Sequence, residues 1–79
     1  MAEIILYQLP GCPYCAKVRA ELSKREMDYL VVNVAKNRSD KLRMELFVNS
    51  GVPTVPVIKI DDLWVGDSEN IITYLEEHF

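Results

Sequence analysis

Two cysteines separated by two residues, Cys12-Pro13-Tyr14-Cys15, stand between an apolar run and a helical segment. This placement constrains the fold more than any other feature of the sequence. The run before them, Glu3 to Gln8, is apolar at its centre and ends at Pro10-Gly11, which is typical of a buried strand. The segment from Pro13 to about Arg25 has apolar residues at helical spacing, and proline suits the first position of a helix. The motif therefore lies at a predicted strand-to-helix junction.

The remaining segments continue an alternation of strands and helices. Further strands are predicted at 29–34, 55–60 and 63–65, and further helices at 39–49 and from a cap at Ser68 to the end of the chain. The element order β-α-β-α-β-β-α indicates the α/β class. The first βαβ unit should be right-handed and parallel, and the closing hairpin antiparallel. We expect a four-stranded mixed sheet with helices on both faces, which would bury both of the first two strands.

Length and composition limit the classes of protein to which the chain can belong. Its 79 residues suit one domain, 1–79, and 49% apolar with 27% charged residues exclude a disordered chain. No apolar run approaches the roughly 20 residues of a membrane helix, and no secretory leader is recognisable. A net charge of −3 argues against a nucleic-acid partner. We expect a cytoplasmic protein that binds neither membranes nor nucleic acids.

A CxxC pair that begins a helix after a strand is typical of a thioredoxin-like redox site. With Cys12 at the N-cap, its sulfur faces unpaired backbone N–H groups and the positive end of the helix dipole, which lower a cysteine pKa. Cys15 lies one turn further in, close enough to attack a disulfide formed on Cys12. We therefore expect Cys12 to be the nucleophile and Cys15 the resolving thiol. Lys17 and Arg19 could add positive potential at the thiolate or could point into solvent.

The alternative for a CxxC pair is half of a zinc or iron–sulfur site. Structural zinc normally takes four protein ligands, and this chain offers two cysteines and His78. We therefore expect no metal.

A second motif, Thr54-Val55-Pro56, precedes a predicted strand. Proline is excluded from central strands, so Pro56 indicates either a cis Val55–Pro56 bond or an ordinary edge-strand proline. The first arrangement would leave the Val55 backbone free to pair with an extended substrate beside Cys12.

Taken together, CPYC after an apolar strand, TVP before the third strand and the turn Gly66-Asp67-Ser68 resemble the glutaredoxin family over nearly the whole chain. The second half also resembles the N-terminal domain of glutathione S-transferases. The resemblance implies a thioredoxin fold and a monomeric dithiol oxidoreductase that uses glutathione as its reducing co-substrate. Its partners would be glutathione and disulfide-containing proteins.

The same resemblance implies roles for individual residues. Cys12 would attack glutathionylated or protein disulfides, and Cys15 would resolve intramolecular ones. Val55, beside a cis Pro56, would pair with the cysteinyl part of glutathione. Its γ-glutamyl end would be held by Asp67, Ser68 and Glu69. Thr54 belongs to the same substrate-binding motif, and Tyr14 either packs on a thiol substrate or covers the start of the helix.

Two positions depart from the family pattern. Glutaredoxins often carry lysine three residues before the first cysteine, where this chain has Leu9. They also carry a polar or basic residue near the end of the second helix, where this chain has Phe47-Val48. Both family residues contact the glycine carboxylate of glutathione. The candidates to replace them here are Arg38, Lys41 and Lys17.

Three functional hypotheses follow. The leading one is a dithiol glutaredoxin that reduces protein disulfides or glutathione mixed disulfides. The second is a glutathione-independent, thioredoxin-like electron donor recharged by a flavoprotein reductase. The third is a non-catalytic module that binds glutathione or a metal.

Overall fold

Strand β1 lies inside the sheet and carries the chain to the cysteine motif. The computed structural model describes residues 3–79, in which the strand order is β2-β1-β3-β4. The strands are β1 (Ile4–Gln8), β2 (Leu30–Asn33), β3 (Val57–Ile60) and β4 (Leu63–Gly66). Strands β1 and β2 are parallel, whereas β3 is antiparallel to both β1 and β4. The predicted mixed sheet and the antiparallel closing hairpin are confirmed.

Three helices cover the two faces of this sheet: α1 (Pro13–Lys24), α2 (Lys41–Ser50) and α3 (Ser68–His78). Alternate residues of a strand point to opposite faces, and β1 follows this rule with Ile4 and Leu6 buried on one side. These two side chains share a core with residues of α1, β3 and α3: Val18, Leu22, Ile58, Ile60, Ile71 and Leu75. A smaller core on the opposite face contains Val34, Leu46 and Val57. The predicted helices on both faces are therefore confirmed. Within residues 3–79, no helix combines the length and apolar character needed to cross a membrane.

Strand β2 is shorter and more exposed than predicted. It spans Leu30–Asn33 instead of 29–34, and it lies at the edge of the sheet. Leu30 remains 62% exposed and Val31 45% exposed, so the expectation of a buried second strand is wrong. The physical reason is the strand order, because β2 is an outer strand and contributes no residue to the main core, which takes its strand residues from β1 and β3.

The second helix starts and stops on clear capping signals. The Asp40 carboxylate accepts hydrogen bonds from the backbone N–H groups of Leu42 (3.1 Å) and Arg43 (3.4 Å). The helix therefore begins two residues later than the predicted Ser39. It ends at Gly51, whose φ of 77° is the left-handed conformation that favours glycine.

The cap of the third helix is Asp67 and not the predicted Ser68. Asp67 has φ 73° and makes no side-chain capping hydrogen bond, whereas Ser68 is the first helical residue and is buried. Asp67 and Ser68 are both residue types favoured at N-caps, so composition alone does not distinguish them. The positive φ at Asp67 moves the helix start by one residue.

Gly66 is required where β4 passes the end of α2. A methyl group at this position would come within 2.9 Å of the Val52 side chain and 3.2 Å of the Ser50 Cβ. We expect Gly66→Ala to lower the free energy of unfolding by about 1–3 kcal/mol through overpacking, as measured by urea denaturation. Because the Cβ and Cγ2 of Val52 are the nearest obstacles, both at 2.9 Å, Val52→Gly/Gly66→Ala should lose less than the sum of the two single variants. Strictly additive losses would contradict this explanation.

Candidate active site

The strand registers bring four loops to the same end of the sheet, where β1, β2 and β4 end and β3 begins. Gln8, the last residue of β1, pairs with Asn33, the last residue of the parallel strand β2. Tyr7 pairs with Val57, the first residue of the antiparallel strand β3, and Val57 pairs in turn with Gly66 at the end of β4. The connections that follow β1, β2 and β4 and the one that precedes β3 therefore meet beside the start of α1.

Cys12 is the N-cap of α1, as predicted. Its backbone is extended (φ −76°, ψ 119°), Pro13 follows as the first helical residue, and its sulfur accepts a hydrogen bond from the Cys15 backbone N–H at 3.4 Å. Its own backbone N–H donates to the Leu9 carbonyl at 3.2 Å, which closes the turn between β1 and α1. Gly11 within that turn has φ 79°. The half-buried sulfur is therefore held at the positive end of the helix.

The structure lowers the pKa of Cys12 below its ordinary value. Partial burial acts to raise the pKa, but hydrogen bonds from the Cys15 thiol and from the backbone N–H groups of Cys15 and Tyr14 act against it. The positive charge of Arg19 also favours the thiolate. These hydrogen bonds and the charge outweigh burial.

Cys15 has the opposite electrostatic environment. Its side chain is fully buried, and this desolvation, together with its hydrogen bond to Cys12 and the negative charge of that thiolate, raises its pKa to about 11. The Leu9 backbone and the Arg19 charge oppose the shift without cancelling it. Both cysteines are free thiols. The pair thus combines an acidic, accessible thiol with a basic, buried one.

A pocket of about 190 Å³ opens beside Cys12. Its other lining residues come from the loop after β1, from the start of α2 and the loop before it, and from the loop before β3: Leu9, Arg38, Arg43, Thr54 and Val55. The Val55–Pro56 peptide bond is cis, and Pro56 is buried directly ahead of β3. Of the two arrangements considered for this proline, the cis bond is the one found. Strand β3 begins after the motif, at Val57, instead of at Val55 as predicted.

The other predicted substrate-binding residues are not among those that line this pocket. Tyr14 is 60% exposed in the first turn of α1. Asp67 caps α3, and Ser68 and Glu69 begin it, at this same end of the sheet. Asp67 and Glu69 are exposed, whereas Ser68 is buried. Burial prevents the Ser68 side chain from offering an open contact to a ligand.

The positions that depart from the family pattern fall into two places. Leu9 lines the pocket, whereas Phe47 and Val48 are exposed on the outer part of α2. Of the three cations suggested as replacements, Arg38 lines the pocket beside Cys12. Lys41 borders a different groove, on the exposed side of α2. Lys17 is exposed on α1.

The sequence analysis did not single out Arg43, a buried residue that lines the pocket and binds the loops around it. Its guanidinium is buried and donates to the carbonyls of Ala35 (2.6 Å), Lys36 (3.3 Å) and Pro53 (3.2 Å). It therefore ties the loop after β2 to the loop that carries Thr54. The available signal was its position three residues before Leu46, on the buried side of α2.

Across residues 3–79, no three His, Cys, Asp or Glu side chains are grouped so that they could hold a metal ion. The expectation of no metal stays a prediction.

Comparisons with known proteins identify the family and agree with the fold. The family profile described as Glutaredoxin matches residues 4–65. Glutaredoxin 1 of Rickettsia prowazekii is 32% identical over 74 residues, which cover 94% of this chain and 78% of that protein. The holo form of glutaredoxin C1 from Populus tremula x tremuloides superimposes with a TM-score of 0.81 at 22% identity, covering 98% of this chain and 77% of that one. The expected thioredoxin-like fold is thereby confirmed.

The likeness to transferases is also confirmed at the level of the fold. A glutathione transferase homolog of Drosophila mojavensis, solved with bound glutathione, superimposes with a TM-score of 0.80 at 26% identity. The match covers 98% of this chain and 35% of the transferase homolog. This chain therefore spans about a third of the length of that protein.

The two thiols should differ in how their alkylation depends on pH. A thiolate predominates above its pKa, so Cys12 should react with iodoacetamide at a pH below the ordinary cysteine value, whereas Cys15 should need a pH near 11. Mass spectrometry of the reduced protein at neutral pH should show one adduct, on Cys12. Modification of Cys15 at an equal rate would contradict the assignment, and urea-unfolded protein, which takes up two adducts, is the control.

Proposed function

Because the chain belongs to the glutaredoxin family, we propose that it reduces glutathione mixed disulfides and protein disulfides, with Cys12 as the nucleophile. Membership of the family makes the chain a thiol–disulfide oxidoreductase. The observation that carries the more specific proposal is the Cys12 sulfur, held at the N-terminus of α1 with a lowered pKa and opening onto a pocket.

The first step is attack of the Cys12 thiolate on a disulfide between a substrate protein and glutathione. A Cys12–glutathione disulfide forms, and the original disulfide breaks. The electron pair of the broken bond leaves on the substrate sulfur, which takes a proton from solvent. The lowered pKa of Cys12 supports this step because it supplies the thiolate at neutral pH.

The second step returns Cys12 to its thiolate form by one of two routes. In the first route, the thiolate of another glutathione attacks the mixed disulfide, forms glutathione disulfide and expels the Cys12 thiolate. In the second route, Cys15 loses its proton and attacks Cys12, which expels glutathione and leaves a Cys12–Cys15 disulfide. Two further glutathione molecules then reduce that bond and are oxidised to glutathione disulfide.

Glutathione would occupy the pocket beside Cys12 in an extended conformation. We assign the backbone of Val55 to its cysteinyl part, because Val55 and Thr54 line the pocket with Cys12. We assign Arg38 to the glycine carboxylate, because it is the exposed cation in the lining and Leu9 supplies no charge. Arg43 lines the pocket as well, but its guanidinium is already bound to three backbone carbonyls.

The γ-glutamyl end of glutathione would lie toward the start of α3. Asp67 and Glu69 are exposed there and could bind its ammonium group. The Ser68 side chain is buried, so its contribution would come from the backbone N–H at the helix N-terminus, which suits the α-carboxylate. Tyr14, which is exposed in the first turn of α1, would pack against the bound substrate.

The wider context of the enzyme is also a proposal. Residues 1–79 would act as one monomeric domain without metal, on glutathione and on disulfide-containing proteins. A cytoplasmic location suits a dithiol that must be kept reduced by glutathione. The net charge of −3 supports the absence of a nucleic-acid partner.

Replacing each cysteine separately should separate the two routes. In a coupled assay of glutathione-dependent reduction of a small glutathione mixed disulfide, Cys12→Ser should lower kcat/KM by about a thousandfold or more, because the nucleophile is lost. Cys15→Ser should retain activity, because external glutathione can complete the cycle.

Wild-type turnover only with a flavoprotein reductase of the thioredoxin type would replace the proposal with the electron-donor hypothesis. Copurified metal without turnover would favour the binding-module hypothesis.

Arg38→Gln should weaken binding of glutathione and leave the chemistry intact. We expect KM for glutathione to rise about twofold to fivefold, since Arg38 is exposed and an exposed charge pair contributes little. The value of kcat at saturation should stay unchanged, because the contact is the same in the ground and transition states. Lys36→Gln, which removes a cation two residues earlier in the same loop, is the matched control. An equal rise in KM for both variants would contradict a specific contact.

A further inference from the structure

Gln8 is a buried polar residue on a face of β1 that is otherwise apolar. It follows Ile4 and Leu6 on the side that packs against α1 and α3, and it is 8% exposed. Its amide nitrogen Nε2 donates to Asn33 Oδ1 at 3.0 Å, and its amide oxygen Oε1 accepts from Arg19 Nη1. A buried amide is stable only when its polar atoms are paired, and here partners come from both β2 and α1.

The hydrogen-bonding groups of Asn33 and Arg19 fix the orientation of the Gln8 amide. Asn33 offers an acceptor and Arg19 offers only donors, so nitrogen must face Asn33 and oxygen must face Arg19. Asn33 and Gln8 are register partners on adjacent strands, so the backbone holds both groups in place. The Gln8 amide oxygen at the end of β1 is therefore oriented to accept a hydrogen bond from the Arg19 guanidinium.

Arg19 in turn lies on the same stripe of α1 as the two cysteines. It follows Cys15 by four residues and Cys12 by seven, and such spacings place side chains on one face of a helix. The Arg19 side chain is half-buried, whereas neighbouring Lys17 on another face is exposed.

We propose that Gln8 is a positioning residue for the dithiol: together with Asn33 it holds the Arg19 guanidinium beside the cysteines, so that this charge stabilises the Cys12 thiolate. The proposal rests on the proposed function, in which Cys12 is the nucleophile.

Two observations support this role for Arg19. Its charge acts to lower the pKa of Cys12 and opposes the rise in the pKa of Cys15, which is consistent with a position close to both sulfurs. Two other cations face Cys12 from the pocket, Arg38 and Arg43, but Arg43 is bound to carbonyls and Arg38 is exposed. Arginine loses considerable side-chain entropy when it is held in one position, and a buried acceptor such as Gln8 offsets that cost.

The test compares the pH midpoint of Cys12 alkylation by iodoacetamide in five reduced proteins. These are the wild type, Arg19→Gln, Gln8→Met, the double variant Gln8→Met/Arg19→Gln, and the control Lys17→Gln. Methionine keeps the length of glutamine and removes the acceptor. Lys17→Gln removes one positive charge from the same helix. Circular dichroism melts verify that each variant is folded at the temperature of the measurement.

We expect the midpoint to move to higher pH in Arg19→Gln, with the thiolate fraction on the acid side of the curve falling about twofold to fivefold. Gln8→Met should move the midpoint in the same direction by a smaller amount. The double variant should match Arg19→Gln, because without the charge there is nothing to position. Lys17→Gln should leave the midpoint in place.

Two results would overturn the proposal. One is an Arg19→Gln midpoint equal to that of Lys17→Gln. The other is a shift from Gln8→Met that persists undiminished in the Arg19→Gln background, which would give Gln8 a role independent of Arg19. If Gln8→Met does not fold, Asn33→Ala removes the group that orients the amide and should give a small shift that likewise vanishes without Arg19. Alkylation needs no turnover, so failure of the proposed function would show separately, in the mixed-disulfide assay.

Discussion

The sulfur of Cys12 caps the start of α1, a role that a serine or aspartate oxygen commonly has. The rest of the site depends on this cap. The first turn of α1 has backbone N–H groups without helical partners, and the Cys15 N–H donates to this sulfur. Proline at the next position gives up no hydrogen bond, because its missing N–H would have been unpaired. The hydrogen bond that starts this helix thereby also favours the thiolate form of Cys12. Local structure and reactivity have the same origin here, and a change to the cap would alter both.

The pocket beside the start of α1 is completed by segments that are distant from Cys12 in the sequence. The antiparallel register of β1 and β3 places the loop that carries Thr54 and Val55 opposite the loop that carries Cys12. Arg43 then fixes that loop to the segment after β2 through three backbone carbonyls. One buried guanidinium thus satisfies acceptors in loops that have no regular structure of their own, and its charge remains at the base of the pocket. The loops that line the pocket are thus positioned by backbone pairing between strands and by the buried Arg43 side chain.

Much of this arrangement was predictable from local signals. The Cys12–Cys15 spacing, the proline after Cys12 and the alternation of strands and helices predicted the junction and the element order, because each depends on residues close together in sequence. Strand burial was not predictable in the same way: Leu30 and Val31 are as apolar as the residues of β1, and only the strand order puts them at the edge. Arg43 and Gln8 were missed for a related reason. Charged and amide side chains are usually solvated, and their burial here depends on carbonyls and amides contributed by distant segments. The N-cap of α3 is Asp67 instead of the predicted Ser68, because both residue types suit a cap and the positive φ of Asp67 is set by the path of the chain.

If Cys12 reacts as proposed, the electrostatic coupling between the two thiols would give their reactions an order in time. Desolvation is the largest cause of the high pKa of Cys15, but its hydrogen bond to Cys12 and the negative charge of the Cys12 thiolate add to it. When Cys12 enters a mixed disulfide, that negative charge disappears, and the charge of Arg19, which favours the Cys15 thiolate, is no longer opposed by it. Under the proposed function, the pKa of Cys15 would therefore be highest while Cys12 is a free thiolate and would fall once Cys12 has reacted, although burial would still raise it. A pair of sulfurs three residues apart would then react in a fixed sequence, in which the first reaction makes the second easier.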